Sequence, residues 1–455
     1  MAAPTIVWFR DDLRLADNPA LSAAVELDSP ILCLYILDDS TQLRPLGGAS
    51  RWWLHHSLEA LGHDIESLGG TLLLRSGSAA TIVPELAASI GAGAVLWNRR
   101  YGAAERDIDA GIKSQLKESG LDARSFGANL LVEPWEIVTG QGSPYSVFTP
   151  FWKASLQRHA ASPPRHPLAP PTGLTALSSP PHGDELTEWE LLPTRPDWAG
   201  GLREHWTPGE AGADERLADF LDGGVDGYAE ERDFPARPST SGLSPHLRFG
   251  EISPQQIWYA TRDGRRHLGD DGATFLKEVG WREFAYHCLF AFPELATRNW
   301  RESFDRFPWP EVDQDAFTAW TTGHTGVPLV DAGMRELWAT GTMHNRVRMV
   351  VASFLTKNLL IHWRLGEEWF WDTLVDADPA SNPFNWQWVA GSGFDAAPYF
   401  RIFNPERQRE RFDADDTYIR RWVPEYGTDE YPQPIVDLGE TRHAALAAYE
   451  QTKGA

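Results

Sequence analysis

The chain has 455 residues, 42% of them hydrophobic, which is enough for ordinary globular cores and excludes global disorder. Its 41 Lys+Arg stand against 64 Asp+Glu, and a net charge of −23 argues by itself against a nucleic-acid partner, since phosphate binding wants a basic face. Two cysteines, Cys33 and Cys288, exclude a disulfide framework, a Cys-ligated zinc site and a four-cysteine iron–sulfur cluster, and no metal is expected.

The first residues, MAAPTIVWFRDD, form neither a basic n-region nor an apolar h-region. No apolar run approaches the roughly 18 residues of a membrane span, so a soluble, cytoplasmic protein is expected; a monomer is the expected assembly. Residues 5–10, 30–37, 71–77, 94–99 and 123–134 read as strands, the first four largely without polar alternation, as in a parallel sheet buried on both faces. Helical spacing fills 51–69, 79–91 and 104–120, with glycines stopping each segment. The alternation predicts an α/β domain over 1–134, a doubly wound parallel sheet of five strands with a ligand site possible at the carboxyl ends. The turn after the first strand is Arg10-Asp11-Asp12 rather than G-x-G-x-x-G, which speaks against a standard dinucleotide pocket there.

Residues 135–212 carry a weaker signal, and seven prolines within 163–181 read as an extended interdomain connection. From 213 to 455 strand signals vanish, and helices are expected near 213–223, 253–264, 272–290, 328–340, 344–362, 366–374 and 439–451. Ser253-Pro254-Gln255-Gln256 is a capping box with proline at the first helical position. Three segments of this helical half place polar and aromatic residues on one face: Glu278, Trp281 and Arg282; Asn345, Arg348 and Met349; Asp378, Asn382 and Trp386. Any one of them reads as ordinary core or rim, but facing helices that present three such faces can build a cofactor pocket. Thr240, Ser241 and Ser244 precede the capped helix, where hydroxyls beside backbone N–H groups can hold phosphate, although such loops are commonly just loops. Tryptophan (21 residues) far outnumbers methionine (4), and twelve of the tryptophans follow residue 257.

WFRDDLRLADNPAL (8–21), YSVFTPFWKA (145–154), TSGLSPHLRFGEISP (240–254), WREF (281–284), TGTMHNRVRM (340–349) and DADPASNPFNWQWVAGSGFDAAPYFRIFNP (376–405) together resemble the photolyase/cryptochrome family over essentially the whole chain. The resemblance is strongest to bacterial cyclobutane pyrimidine dimer photolyases. It implies a helical domain that holds FAD folded on itself. Tyr228, Thr240, Ser241, Leu243 and Ser244 would contact the phosphates and ribityl chain; Arg282, Asn345, Asp376, Asp378 and Asn382 would surround the rest, with an Arg348–Asp376 ion pair beside the flavin. Asn382 matches the position facing flavin N5.

The resemblance further implies UV-damaged DNA as partner, with the dimer flipped between Trp281 and Trp388, bonded by Glu278, and lined by Asn345 and Met349. Arg346 and Arg401 belong to a basic rim; residues 397–421 hold six arginines against five acids. In (6-4) photolyases the positions of Asn345 and Met349 are both histidines, so dimer repair is the expected chemistry. Trp386, Trp363 and Trp309 match an electron relay, while Trp320, Trp338, Trp369, Trp371 and Trp422 are expected to be packing residues. An antenna chromophore, methenyltetrahydrofolate or a deazaflavin, would sit near WNRRYGAAERD (97–107), where Glu105 matches a folate contact but Ala104 replaces the expected Asn. The alternative is a cryptochrome photoreceptor without repair. Such proteins commonly extend beyond the flavin domain and replace the Asn at the N5 position, and neither feature is read here.

Overall fold

A computed structural model describes residues 2–264, 268–396 and 400–452. Among these, five strands form one all-parallel sheet: β1 (Thr5–Phe9), β2 (Ile31–Leu37), β3 (Leu72–Ser76), β4 (Ala94–Asn98) and β5 (Asp122–Phe126), in the order β3-β2-β1-β4-β5. Alternate residues of the central strands face opposite cores, because side chains alternate along a strand. Val7, Phe9, Cys33 and Tyr35 pack with α1 (Pro19–Val25) and α2 (Gly48–Ser67). Ile6, Trp8, Leu32 and Leu34 pack with α3 (Ala79–Ser89) and α4 (Ala103–Glu118) on the other side. The sheet is doubly wound, as the sequence predicts. Its last strand is shorter than the expected 123–134, because after Phe126 the chain leaves the sheet for the helical half, where Leu131 N–H donates to Glu283 Oε2 at 2.8 Å.

Strand order reverses between β1 and β4, where open α/β sheets place their ligands. Here charged and amide side chains line the crevice. Arg10 pairs with Asp109 and donates to the Asn98 carbonyl, while Asp12 accepts from Asn98 Nδ2 at 2.6 Å. The following turn docks on the helical half: Leu13 N–H donates to Phe249 O at 3.1 Å and Arg14 Nη1 to Gly250 O at 2.7 Å.

Residues 135–212 contain more structure than their composition suggests. The proline-rich stretch runs beside the sheet, with Ile31 N–H donating to Thr175 O at 2.8 Å, but α5 (Phe148–Ala161) and α6 (Gly200–His205) interrupt the connection. α5 forms because Phe148 and Phe151 find aromatic partners on a distant helix, which no local pattern announces.

The helical half runs through α7 (Glu210–Asp219), α8 (Tyr228–Glu231), α9 (Ser244–Phe249), α10 (Pro254–Asp263), α11 (Gly269–Ala291), α12 (Gln314–Thr322), α13 (Pro328–Thr340), α14 (Asn345–Ser353), α15 (Trp363–Thr373), α16 (Ser381–Ala390), α17 (Pro405–Phe412), α18 (Thr417–Trp422) and α19 (Leu438–Gln451). The capping box forms as read: Ser253 Oγ accepts from Gln256 N–H at 3.0 Å and Gln256 Oε1 from Ser253 N–H at 2.8 Å. The helix expected over 344–362 stops at Ser353 and widens into a π-turn, Phe354–Asn358. Buried and half-buried carboxylates tie the segments together through backbone N–H groups. Glu210 accepts from Leu15 and Ala16, Glu251 from Gly209, Asp331 from Thr325 and Gly326, and Asp413 from Tyr418 and Ile419.

Candidate active site

α14, the N-terminus of α9 and the loop after α15 meet at one polar cluster. Asp376 is its centre. Oδ2 accepts from Arg348 Nη2 at 2.9 Å and from Ser244 Oγ at 2.7 Å, while Oδ1 is buried with no partner among the described residues. A buried carboxylate oxygen left without a donor is costly, so this cluster fits a ligand that donates hydrogen bonds. Of the other residues expected to hold the cofactor, Leu243 is buried, Ser241 half-buried, Thr240 and Asn345 exposed, and Tyr228 buried against Phe220 and Phe275. Of the sequence-predicted residues, Ser244, Arg348 and Asp376 are thus brought together, while Asn382 of α16 is bonded to Glu367; the donors and acceptors around Asp376 suit the polar chains and ring edges of FAD.

Two predicted members are committed elsewhere. Asp378 caps α16, accepting from Ala380 and Ser381 N–H at 2.8 and 2.7 Å, and binds the Tyr286 hydroxyl at 2.8 Å. That cap starts a helix despite Pro379 and Pro383, because a proline in the first turn displaces no internal bond. Arg282 turns to the domain boundary, with Nη1 on Asn129 O at 2.7 Å and Nη2 on Leu247 O at 3.3 Å.

The predicted substrate residues each have their own local partners. Trp281 lies flat on Phe148, with centroids 3.6 Å apart at 10°. Trp388 is half-buried, stacked near Phe403 and under the Arg401 guanidinium at 4.9 Å. Glu278 Oε1 is taken by Arg232, and Arg346 pairs with Asp233 at 2.6 Å. Met349 is half-buried. Sequence reasoning passed over Arg232 and Asp233. The only trace they leave is a run of charges after Tyr228.

The predicted relay residues grade from buried to half-exposed. Trp386 is 2% exposed and Trp363 1%. A Cβ on Gly366 of α15 would strike the Trp386 ring, so that glycine admits the indole against the helix. Trp363 Nε1 donates to Asn299 at 2.9 Å, and the His362 ring lies between it (5.7 Å) and half-exposed Trp309 (5.0 Å). Burial pushes His362 down to about 4, so it is neutral at physiological pH. Of the tryptophans assigned to packing, Trp320 is fully buried, but Trp338 is 56% exposed and forms a surface stack with Trp369.

Comparison with known proteins decides what this arrangement belongs to. Residues 5–171 match the family model described as DNA photolyase, and residues 275–429 match the FAD binding domain of DNA photolyase. A deoxyribodipyrimidine photo-lyase of Agrobacterium fabrum is 53% identical, covering 99% of this chain and 98% of its own length. The crystal structure of a bacterial class III photolyase from Agrobacterium tumefaciens superposes with a TM-score of 0.96 at 52% identity, over 100% of this chain and 98% of that one. Cryptochrome-1 of Arabidopsis thaliana is more distant, 36% identical over 99% of this chain and 71% of its own length. The chain belongs to the photolyase/cryptochrome family. Its five-stranded parallel domain and helical FAD-binding domain are those of this family.

The photolyase/cryptochrome chain also has a cleft between the domains, lined by Asp11, Arg100, Tyr101, Glu105, Arg248 and Arg282. Arg100 Nε and Nη2 are buried there without partners among the described residues. No helix among the described residues is long and apolar enough to cross a membrane.

Proposed function

We propose that this protein is a light-driven DNA repair enzyme that receives a cyclobutane pyrimidine dimer, flipped out of UV-damaged DNA, beside FAD. The observation that carries the reading is the full-length 53% identity to a deoxyribodipyrimidine photo-lyase. The orphaned Asp376 oxygen and the Trp281, Trp388, Glu278, Asn345 and Met349 set support it. FAD, bound and reduced, would supply the photoexcited electron that splits the dimer. The chain's residues do the rest. Trp281 and Trp388 offer flat apolar walls to the flipped bases, Glu278 accepts a hydrogen bond from them, and Arg348 with Ser244 holds Asp376 as an acceptor toward the cofactor. Trp386, Trp363 and Trp309 offer a route for electrons from the surface. Exposed Arg407, Arg411, Arg420 and Arg421 on α17 and α18 supply the phosphate contacts.

The domain cleft is the proposed antenna seat. Arg100, whose Nε and Nη2 have no partner among the described residues, and the Glu105 carboxylate, folded back over Gly102, are the polar groups a folate or deazaflavin would meet there. A cryptochrome photoreceptor is the competing reading. An oligonucleotide carrying one thymine dimer, incubated under blue light and in the dark, separates them. Dimer loss in light alone is expected, and no loss in light with FAD bound and reduced overturns the proposal.

A further inference from the structure

Arg44 lies in the loop between β2 and α2, in the N-terminal domain and outside the site described above. Its guanidinium makes a two-pronged pair with Glu367 of α15, Nη1 to Oε1 at 2.7 Å and Nη2 to Oε2 at 2.9 Å. The Glu367 side chain is 1% exposed. The same Oε1 accepts from Asn382 Nδ2 at 2.8 Å, and the Glu367 carbonyl accepts from that nitrogen at 3.1 Å. The loop itself is clamped to α15. Arg44 stacks on Trp371 at 4.1 Å, the Trp371 indole donates to Pro45 O at 2.8 Å, and Gly48 N–H donates to Asp372 Oδ1 at 2.8 Å. A Cβ on Gly47 would collide with the Trp371 carbonyl, so the approach is as close as glycine allows.

These bonds decide which end of the Asn382 amide points away from Glu367. Its nitrogen is spent on two acceptors of Glu367, so Oδ1 must turn the other way. A carboxylate gripped by an arginine fork accepts only, whereas a protonated carboxyl can donate and lets the amide reverse. Burial pushes the Glu367 carboxyl up, and Arg44 opposes that push.

We propose that Arg44 is a positioning residue for the flavin chemistry: from the other domain it holds Glu367 as a pure acceptor, and thereby presents the carbonyl of Asn382, not its amino group, to the cofactor. The proposal rests on the reading that Asn382 faces flavin N5. Oxidised flavin has an acceptor lone pair at N5 and reduced flavin a donor N–H, so a fixed carbonyl there favours the reduced form that the repair reaction needs. The inter-domain pair is therefore tied to function rather than only to docking.

The test measures FAD per chain, midpoint potential and dark reoxidation rate in full-length Arg44→Met, Arg44→Lys, Glu367→Gln and Asn382→Asp. Arg44→Met is expected to keep FAD, shift the potential downward and reoxidise about tenfold faster, the scale of one lost charge-assisted bond. Arg44→Lys restores part of the shift, and Glu367→Gln moves in the same direction as Arg44→Met. If Asn382→Asp shifts the potential while both Arg44 variants stay parental, Arg44 has no such role and the Asn382 reading stands. If Asn382→Asp leaves potential and spectrum unchanged, the underlying reading is wrong and the proposal falls with it. Should Arg44→Met not retain FAD, a parental potential in Glu367→Gln overturns the proposal.

Discussion

Trp281→Ala lowers affinity for a dimer-bearing duplex by about tenfold to a hundredfold, the weight of stacking one base on an aromatic ring, and leaves FAD content unchanged. The indole supplies a flat apolar face already stacked on Phe148, so the flipped base gains its partner without further ordering of the protein. Truncation leaves Phe148 set back behind a gap too shallow to grip a base and too apolar to hold water well. The loss must be specific to the lesion, because Trp281 touches no phosphate in this scheme. Arg407→Ala is the contrast. It weakens damaged and undamaged DNA alike and flattens the salt dependence. Fluorescence anisotropy with paired damaged and undamaged oligonucleotides checks both, and equal affinities of Trp281→Ala and parent for the lesion remove Trp281 from the pocket.

Gly250→Ala destabilises the protein by about 3–5 kcal/mol, among the larger effects a single methyl produces. Gly250 ends α9 at φ 67°, where a side chain clashes with its own backbone, a cost of about 1–2 kcal/mol. The larger part is steric. The added Cβ would lie well inside 3.0 Å of the Asp11 carbonyl and Asp12 Cα, backbone that cannot rotate aside. Moving it disturbs the bonds the turn makes at the domain boundary, Arg14 to Gly250 O at 2.7 Å and Arg248 to Asp11 at 2.8 Å. Urea denaturation followed by fluorescence checks the shift, and a midpoint within about 0.5 kcal/mol of parent, the noise of a neutral surface change, would show that the turn yields freely.

How much of this was legible in the sequence depends on the range over which each contact acts. The strands and the helices that flank them were readable because their burial is local: TIVWF and AVLWN are buried at every position. Helical spacing places Asn382 and Trp386 four apart on α16, and Asn345 and Arg348 on one face of α14; of these the structure ties Arg348 to Asp376. α5 was missed because its aromatic face is satisfied by α11, far along the chain. Arg44 and Glu367, 323 residues apart, leave no periodic trace at all. Trp338 reads as a packing residue because a helical tryptophan usually is, and spacing alone does not reveal that its position on α13 is exposed.

The carboxylates that bind backbone N–H groups bear on the charge of −23. Glu210, Glu251, Glu283, Asp331, Asp378 and Asp413 are acidic residues by composition, but each spends an oxygen on the main chain rather than displaying it. Burial pushes Glu283 up to about 8, so at neutral pH it is mostly protonated and contributes little negative charge. Glu210 is pushed up to about 6 and is only partly discharged. These side chains are interior scaffolding, a substitute for backbone pairing where loops cross between segments. The field a polyanion meets on approach is set by the remainder, and on α17 and α18 that remainder includes four exposed arginines.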